Sequence, residues 1–440
     1  MRDVAWRPRG AVLAGVFACA LAACRPASAD DRLDVWRLAR ANDPVLAAAD
    51  AARAGTHDLA DQARAALLPQ ASAAASIGRE RDSGGALPVA SAHTTDVSLG
   101  VSQVVFDAGL WSQLKAARLN ASAQDSVVQA AQQALCLRVA TAYFDALLAS
   151  DLLTSVQANE DAFAQQVGQS QQRYRAGLDA QVDVDQSRAF QALAHGNTIA
   201  ARQAMIDALA AVAEITGSTP ATLKTLRDEL PLVAPVPADP QAWVATALQG
   251  NPALWAAQQG VDAAESSIDA ARAGHLPSLS AGLNLGRPTG TPYGDSSGRL
   301  ANTAVLTLNV PLFAGGATQA RVNLARHQRD GARDSLETQR RAVERAAKAA
   351  YGSVVAGIGQ VQATRESVAA AQASLAATRV GREVGNRTQT DVLNAIQTLA
   401  QAQAAYAQAR HQFILGRLQL QQAAGALTEA DLANVNALLQ

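Results

Sequence analysis

Two short stretches of this 440-residue chain place glycine and aspartate between long alanine-rich segments, and the second of them also carries an arginine. They are AGLDAQVDV, at positions 176–184, and GNRTQTDVL, at positions 385–393. Gly177 and Gly385 are 208 residues apart, as are Asp183 and Asp391. Carboxylate and guanidinium groups can form ion pairs or attract cations, but neither stretch supplies a catalytic set of residues. Such residues are also common at the solvated tip of a helical hairpin, so the stretches alone do not define a site.

Other residue types that could carry chemistry form no recognisable motif. The chain has no GxSxG, Walker A or Cys-x-x-Cys motif. Its formal net charge of −1 gives no concentrated basic face for nucleic acid. The histidines show no metal-ligand spacing; they are His57, His93, His195, His275, His327 and His411. The sequence therefore predicts a protein that is not an enzyme, requires no cofactor and binds no nucleic acid.

The N-terminus has the features of an export signal. Three arginines within the first nine residues precede an apolar run over positions 11–23, and Ala27-Ser28-Ala29 offers a small-residue cleavage site. This pattern predicts a signal peptide over residues 1–29. The tetrapeptide ending at Cys24 also fits a lipoprotein processing box, so lipidation at Cys24 is the alternative. The only cysteine outside the leader is Cys136, which excludes a disulfide framework.

Beyond the leader, the chain consists of two copies of one unit. Asp43-Pro44 corresponds to Asn251-Pro252 at the 208-residue offset, and Leu68-Pro69 corresponds to Leu276-Pro277. Between the copies, positions 231–240 read PLVAPVPADP, and the four prolines exclude a helix and indicate a linker. The predicted domains are therefore residues 30–230 and 241–440, joined by the linker 231–240.

Each copy shows the same order of elements. An initial helix leads to Leu-Pro, followed by a pair of alternating segments at about 69–106 or 277–313. A long helical hairpin follows, at about 109–217 in the first copy and 316–425 in the second.

The helical segments carry sustained seven-residue spacing of apolar side chains. Such heptads indicate helices that pack side by side with a left-handed supercoil. From about Gly109 to Gly177 the helical pattern would extend roughly 100 Å at 1.5 Å per residue, and one unbroken heptad series lies within it. This series comprises Leu114, Ala121, Val128, Leu135, Ala142, Ala149, Val156 and Phe163.

Between the helices the apolar spacing changes from seven to two, which is typical of strands. Leu279, Ala281 and Leu283 alternate with serine and glycine, and the segments are long enough to cross an outer membrane as tilted strands. No stretch after residue 30 is expected to be long and apolar enough for a transmembrane helix.

Four membrane strands cannot close a barrel alone, and an open strand edge is not tolerated in lipid. Three copies would supply twelve strands. The predicted fold class is therefore mixed α and membrane β: a trimeric twelve-stranded barrel with four strands per chain, continued by a long helical coiled-coil barrel.

These features, together with a set of short motifs, resemble the TolC family of trimeric outer-membrane channel-tunnels over essentially the whole mature length. The resemblance is closer to the TolC branch than to the lipidated drug-efflux branch, and it favours cleavage after Ala29. The matching pieces are ARANDP, ALLPQ, TAYFDALLASDLL, RYRAGL, GHLPSL, VPLFAGG, VGNRTQTDVLNAIQTL and AAGALTEADLANVNALL.

The resemblance implies a homotrimeric conduit that is embedded in the lipid of the outer membrane, extends its helical tube into the periplasm and passes substrates from the cell interior to the exterior. Its expected partners are a periplasmic adaptor and an inner-membrane transporter, either an ABC transporter or a proton-driven one. It implies export, with type I protein secretion favoured and a dedicated multidrug efflux channel as the alternative. A periplasmic coiled-coil structural protein is the alternative from a different class.

By position, the resemblance places an entrance ring at the second stretch. Asp391 matches the aspartate of the family's ring at the closed periplasmic end. One helical turn further on, Asn394 stands where the family has a second aspartate. Three copies would thus hold three carboxylates instead of six, which predicts weaker cation binding and selectivity.

The resemblance also places a latch between neighbouring helices, partly rewritten in this chain. Arg387 matches a latch arginine and Asp183 a latch aspartate. Arg382 stands in place of a tyrosine and Val182 in place of a threonine. We expect Arg387 and Arg382 to pair with Asp183 or with a neighbouring carboxylate.

Glycines mark both ends of the predicted hairpins. Gly177 and Gly385 are expected to turn the chain at the periplasmic tip, because glycine adopts dihedral angles that other residues avoid. Gly109, Gly315 and Gly316 are expected at the junction between barrel and tube.

Overall fold

A computed structural model describes residues 32–82, 90–218, 223–227, 229–289 and 300–437. The predicted signal peptide 1–29 and Cys24 lie outside these residues. The helices are α1 (Arg32–Asn42), α2 (Pro44–Ala65), α3 (Ala108–Arg175), α4 (Gln181–Thr216), α5 (Pro240–Gly250), α6 (Pro252–Arg272), α7 (Ala317–Glu383), α8 (Gln389–Ala423) and α9 (Glu429–Asn436). The strands are β1 (Gln70–Asp82), β2 (Ala90–Phe106), β3 (Ser278–Thr289) and β4 (Ala301–Asn309).

The four strands form one antiparallel sheet in the order β1-β2-β3-β4. The register aligns apolar residues across the sheet, since Leu99 pairs with Ala73 on one side and with Leu285 on the other. Side chains of successive residues point to opposite faces. The sheet therefore has one face of alanine, valine and leucine and a second face dominated by serine, glycine, threonine and asparagine.

The sheet has two free edges within the described part of the chain. β1 pairs only with β2, and β4 pairs only with β3. Large side chains on the apolar face, including Ile77, Leu306 and Leu308, are more than half exposed. An exposed apolar face next to unpaired strand edges indicates that this sheet is completed by other molecules.

The long helices pack side by side as the heptads predict. α3 has 68 residues, which correspond to about 100 Å. Six of the eight residues of its predicted series are buried: Leu114, Ala121, Val128, Leu135, Ala149 and Phe163. α3 packs against α4, α7 packs against α8, and α3 also contacts α8, which joins the two hairpins of one chain.

The largest hydrophobic core lies where α1, α3, α8 and α9 meet. Its fully buried side chains include Tyr143, Phe144, Phe413 and Ile414. By length and composition alone, α3 is long and apolar enough to span a membrane, so the expectation of no such stretch is wrong. The apolar residues of α3 that line this core pack against other helices of the chain.

Each half begins with two helices where the sequence suggested one. The helices are separated at Asp43-Pro44 and at Asn251-Pro252, where the residue before proline is extended, with ψ of 117° in both cases. Proline disfavours the helical conformation in the preceding residue, so the helix must restart. The last proline of the linker, Pro240, is the first residue of α5, and the helix α9 was not expected.

Candidate channel gate at the tips of the helical hairpins

Both hairpins turn at a glycine with a left-handed backbone. Gly177, between α3 and α4, has φ of 74°, and Gly385, between α7 and α8, has φ of 81°. The turns are closed by backbone hydrogen bonds, from Leu178 N to Arg173 O at 2.9 Å and from Asn386 N to Gly381 O at 2.8 Å. Each tip is therefore a compact turn that fixes where the next helix starts.

Gly385→Ala is expected to lower the midpoint of thermal unfolding. A side chain in the left-handed region costs about 1–2 kcal/mol. The matched control is Gly359→Ala within α7, where an added Cβ meets open space and helix propensity favours alanine by about 1 kcal/mol. Equal shifts of the midpoint in both variants, measured by circular dichroism, would contradict the assignment.

A nearly buried carboxylate connects the two tips. The side chain of Asp179 is 1% exposed and accepts hydrogen bonds from Arg173 Nε at 3.1 Å and from Arg382 Nη2 at 2.7 Å. Arg173 belongs to α3 and Arg382 belongs to α7. One carboxylate thus pairs with a guanidinium from each hairpin of the same chain.

A layer of buried amides and hydroxyls lies next to this ion pair. Gln389 Nε2 donates to Gln166 Oε1 and to Ser187 Oγ, both at 3.2 Å. Thr390 Oγ1 donates to Gln186 Oε1 at 2.6 Å. These bonds run from α8 to α3 and α4. The tips are therefore joined by a network of polar contacts as well as by the ion pair.

Asp391 caps α8 with its own side chain. Thr388 N donates to Asp391 Oδ2 at 2.8 Å, and Asp391 N donates to Thr388 Oγ1 at 3.1 Å. The hydrogen bond from the Thr388 backbone, with smaller contributions from the Thr388 hydroxyl and the charge of Arg387, lowers the pKa of the Asp391 carboxyl. Within one chain, Asp391 is thus held ionised. Asn394, one turn further on, is exposed.

Within the part of the chain that the structure describes, the expected pairing with Asp183 or a neighbouring carboxylate is present for Arg382 but not for Arg387. Arg382 pairs with Asp179 and not with Asp183, because the Asp183 carboxylate turns back to accept a hydrogen bond from Ala180 N at 3.2 Å, at the start of α4. Among the described residues, Arg387 makes no ion pair within 4 Å, and Val182 is exposed. Roles for Asp183, Arg387 and Val182 at a gate therefore stay proposals about contacts between chains.

The glycines expected at the barrel–tube junction have two different structural roles, a chain turn and close helix packing. Gly315 and Gly316 have φ of 59° and 85° and turn the chain from β4 into α7. Gly109 lies inside the first turn of α3, and a Cβ there would lie 3.5 Å from the Cβ of Ala273. Gly109 thus permits close packing of α3 on the end of α6.

Within the described ranges, no group of three or more histidine, cysteine, aspartate or glutamate residues is placed to hold a metal ion. The contacts observed at the tips are hydrogen bonds and ion pairs between helices.

Comparison with known proteins places the chain in a family. The family model described as outer membrane efflux protein matches residues 35–218 and again residues 243–426. The two matches correspond to the two halves of the chain.

The similarity extends over nearly the full length of known relatives. The chain is 32% identical over 418 residues to the outer membrane protein TolC of Vibrio cholerae, which covers 94% of both proteins. It is 28% identical over 415 residues to the alkaline protease secretion protein AprF of Pseudomonas aeruginosa, which covers 92% of this chain and 86% of that protein.

A solved structure shows the same fold. The outer membrane protein VceC of Vibrio cholerae matches with a TM-score of 0.79 and 21% identity, over 90% of this chain and 96% of that one. The predicted fold class and the outer-membrane localisation, with the helical tube in the periplasm, are confirmed. The chain belongs to the outer membrane efflux protein family, whose members are outer-membrane efflux and secretion channels.

Proposed function

We propose that three copies of the chain form the exit channel of a tripartite export machine. The observation that carries this proposal is the four-stranded sheet with one apolar face and two free edges. Pairing of β4 with β1 of the next copy would leave no strand edge in lipid and would enclose a lumen lined by the serine- and glycine-rich face. The helices would continue this lumen across the periplasm.

The channel would receive its cargo from an inner-membrane transporter, ABC or proton-driven, through a periplasmic adaptor. The joined hairpin tips would form the closed entrance. Type I protein secretion is favoured, because the chain matches TolC and a protein named for protease secretion over almost its whole length. Dedicated drug efflux is the second candidate, supported by similarity to a protein named as the outer membrane efflux protein BepC of Brucella suis.

Removal of the chain from its native cell tests the two candidates. If it serves protein secretion, specific proteins disappear from the culture medium while sensitivity to antibiotics is unchanged. Restoration of secretion by the wild-type chain is the control. Increased drug sensitivity with an unchanged set of secreted proteins would replace secretion by efflux.

Asp391→Ala is expected to reduce the preference of the pore for cations. In a trimer, three ionised carboxylates at a constriction would attract cations, so their removal should lower the cation-to-anion permeability ratio by about twofold or more. Reversal potentials across a planar bilayer with a salt gradient measure this ratio. Asp207→Ala, an exposed carboxylate of α4 away from the tip, is the matched control. An unchanged ratio in Asp391→Ala would contradict the entrance-ring role.

A further inference from the structure

Because the two halves of the chain are equivalent, the contact between them predicts the contact between neighbouring copies. α2 and α6 begin at Pro44 and Pro252, 208 residues apart, and α3 and α7 end at Arg175 and Glu383, again 208 residues apart. Near the barrel, α3 lies between α2 and α6, whereas α7 contacts α6 on one side. The outer sides of α2 and α7 are therefore the lateral edges of the helical layer, next to the free strands β1 and β4.

The packing of α3 against α6 predicts the geometry with which α7 would pack against α2 of a neighbouring copy. A Cβ on Gly109 would lie 3.5 Å from the Cβ of Ala273. The 208-residue offset carries Gly109 to Ala317 on α7, and Ala273 to Ala65 on α2. Closure of the sheet by pairing of β4 with a neighbouring β1 brings these two helix ends together, because each helix directly adjoins its strand.

Equivalent positions in the two halves differ in burial, and the difference follows these edges. Ala116 of α3 is 8% exposed, whereas its counterpart Leu324 of α7 is 57% exposed. Ser266 of α6 is 2% exposed, whereas its counterpart Asp58 of α2 is exposed. The buried member of each pair lies on α3 or α6, the helices that have neighbours on both sides. The exposed members therefore mark a surface that a second copy covers.

The residues on this surface are chemically complementary. Gln113 of α3 lines a groove with Ser267 and Ala270 of α6, and Leu59 of α2 borders the same groove while staying more than half exposed. At the 208-residue offset, Gln113 corresponds to Arg321 of α7, and Ser267 corresponds to Leu59 of α2. Asp58, the residue before Leu59, corresponds to Ser266. The surface of α7 therefore carries a positive charge, and the surface of α2 carries a negative charge beside a leucine.

We infer that α7 of one copy packs against α2 of the next through an Arg321–Asp58 ion pair beside a Leu324–Leu59 contact. This inference rests on the proposed trimeric channel and names the surface that assembles it. The equivalent joint inside the chain is neutral, with Gln113 and Ser266 in place of the charges. A charged pair at the seam therefore distinguishes contacts between chains from contacts within one chain, as charges flanking coiled-coil seams do.

Cysteine cross-linking tests the predicted geometry. Ala65→Cys combined with Ala317→Cys should give covalent dimers and trimers on mild oxidation of the purified protein, since a disulfide needs Cβ atoms about 3.5–4.5 Å apart. Each single-cysteine variant should stay monomeric on a non-reducing denaturing gel, because the native Cys136 is buried. Absence of cross-linked species from trimeric double-cysteine protein would overturn the inference.

Charge reversal tests the chemistry independently. Asp58→Arg and Arg321→Asp should each reduce the recovered trimer by about tenfold, and the double variant should restore it to within about twofold of wild type. Asp61→Arg is the matched control, since its counterpart Asp269 stays exposed between two neighbours and trimer yield should be unchanged. Wild-type levels of trimer in Asp58→Arg, or no recovery in the double variant, would overturn the inference while leaving the channel intact. A wild-type chain that does not trimerise would overturn the proposed function itself.

Discussion

Asp179→Ala is expected to open the tips of the hairpins and raise the mean single-channel conductance by about fivefold or more. The carboxylate is nearly buried and holds Arg173 of α3 and Arg382 of α7 together. Loss of hydrogen bonds to a charged group costs about 1.5–3 kcal/mol, and here two guanidinium groups lose their shared carboxylate. In the proposed trimer, a closed entrance would lose this energy in each of the three copies. Recordings across a planar bilayer measure the change directly.

A matched variant separates the latch from a general loss of charge at the tip. Asp185 lies in α4 and makes a mostly exposed ion pair with Arg188, which contributes little to stability. Asp185→Ala should leave the conductance unchanged. A conductance of Asp179→Ala equal to that of wild type would remove Asp179 from the gate, and Arg382 with it.

Phe144→Ala is expected to destabilise the chain more than any single change at the tips. The ring is fully buried in the core of α1, α3, α8 and α9, with edge contacts to Tyr143 at 6.0 Å and to His411 at 5.9 Å between ring centroids. Truncation of a buried phenylalanine typically costs about 3–5 kcal/mol, because a cavity remains. The temperature at which the folded protein unfolds should fall accordingly.

Ile206→Ala controls for the loss of apolar surface as such. Ile206 lies on α4 and is more than half exposed in the single chain, so its truncation should shift the unfolding temperature only slightly. Unfolding can be followed by circular dichroism of the detergent-solubilised protein. A similar shift in the two variants would mean that the core around Phe144 does not dominate stability.

The overall architecture could be predicted from the sequence because its signals are periodic and long. Residues at seven-residue spacing, such as Leu114 and Val128, are buried as expected, and the alternation around Leu283 forms a strand with one apolar face. The helices α1 and α5 were not separated from α2 and α6, because the break depends on a single X-Pro pair in each half. The helix α9 is only eight residues long, too short for a clear period.

The location of the candidate gate could be predicted from glycines and charged residues, but its ion pairs and hydrogen bonds could not. Asp179 and Asp183 lie four residues apart, and either carboxylate could have reached Arg382 as far as the sequence shows. The structure separates them because Asp183 sits three residues into α4 and caps its own helix, whereas Asp179 lies in the turn and faces α7. Gln166 and Gln389 gave no signal, since isolated glutamines on helices are usually solvated.

Single-channel recording of the detergent-purified wild-type protein in a planar lipid bilayer shows directly whether the chain forms an export channel. We expect stable, cation-preferring pores formed by a trimer, with low conductance because the hairpin tips are joined. Absence of any pore, from protein shown to be folded and trimeric in the same preparation, would contradict an export channel and leave a periplasmic coiled-coil assembly as the better interpretation.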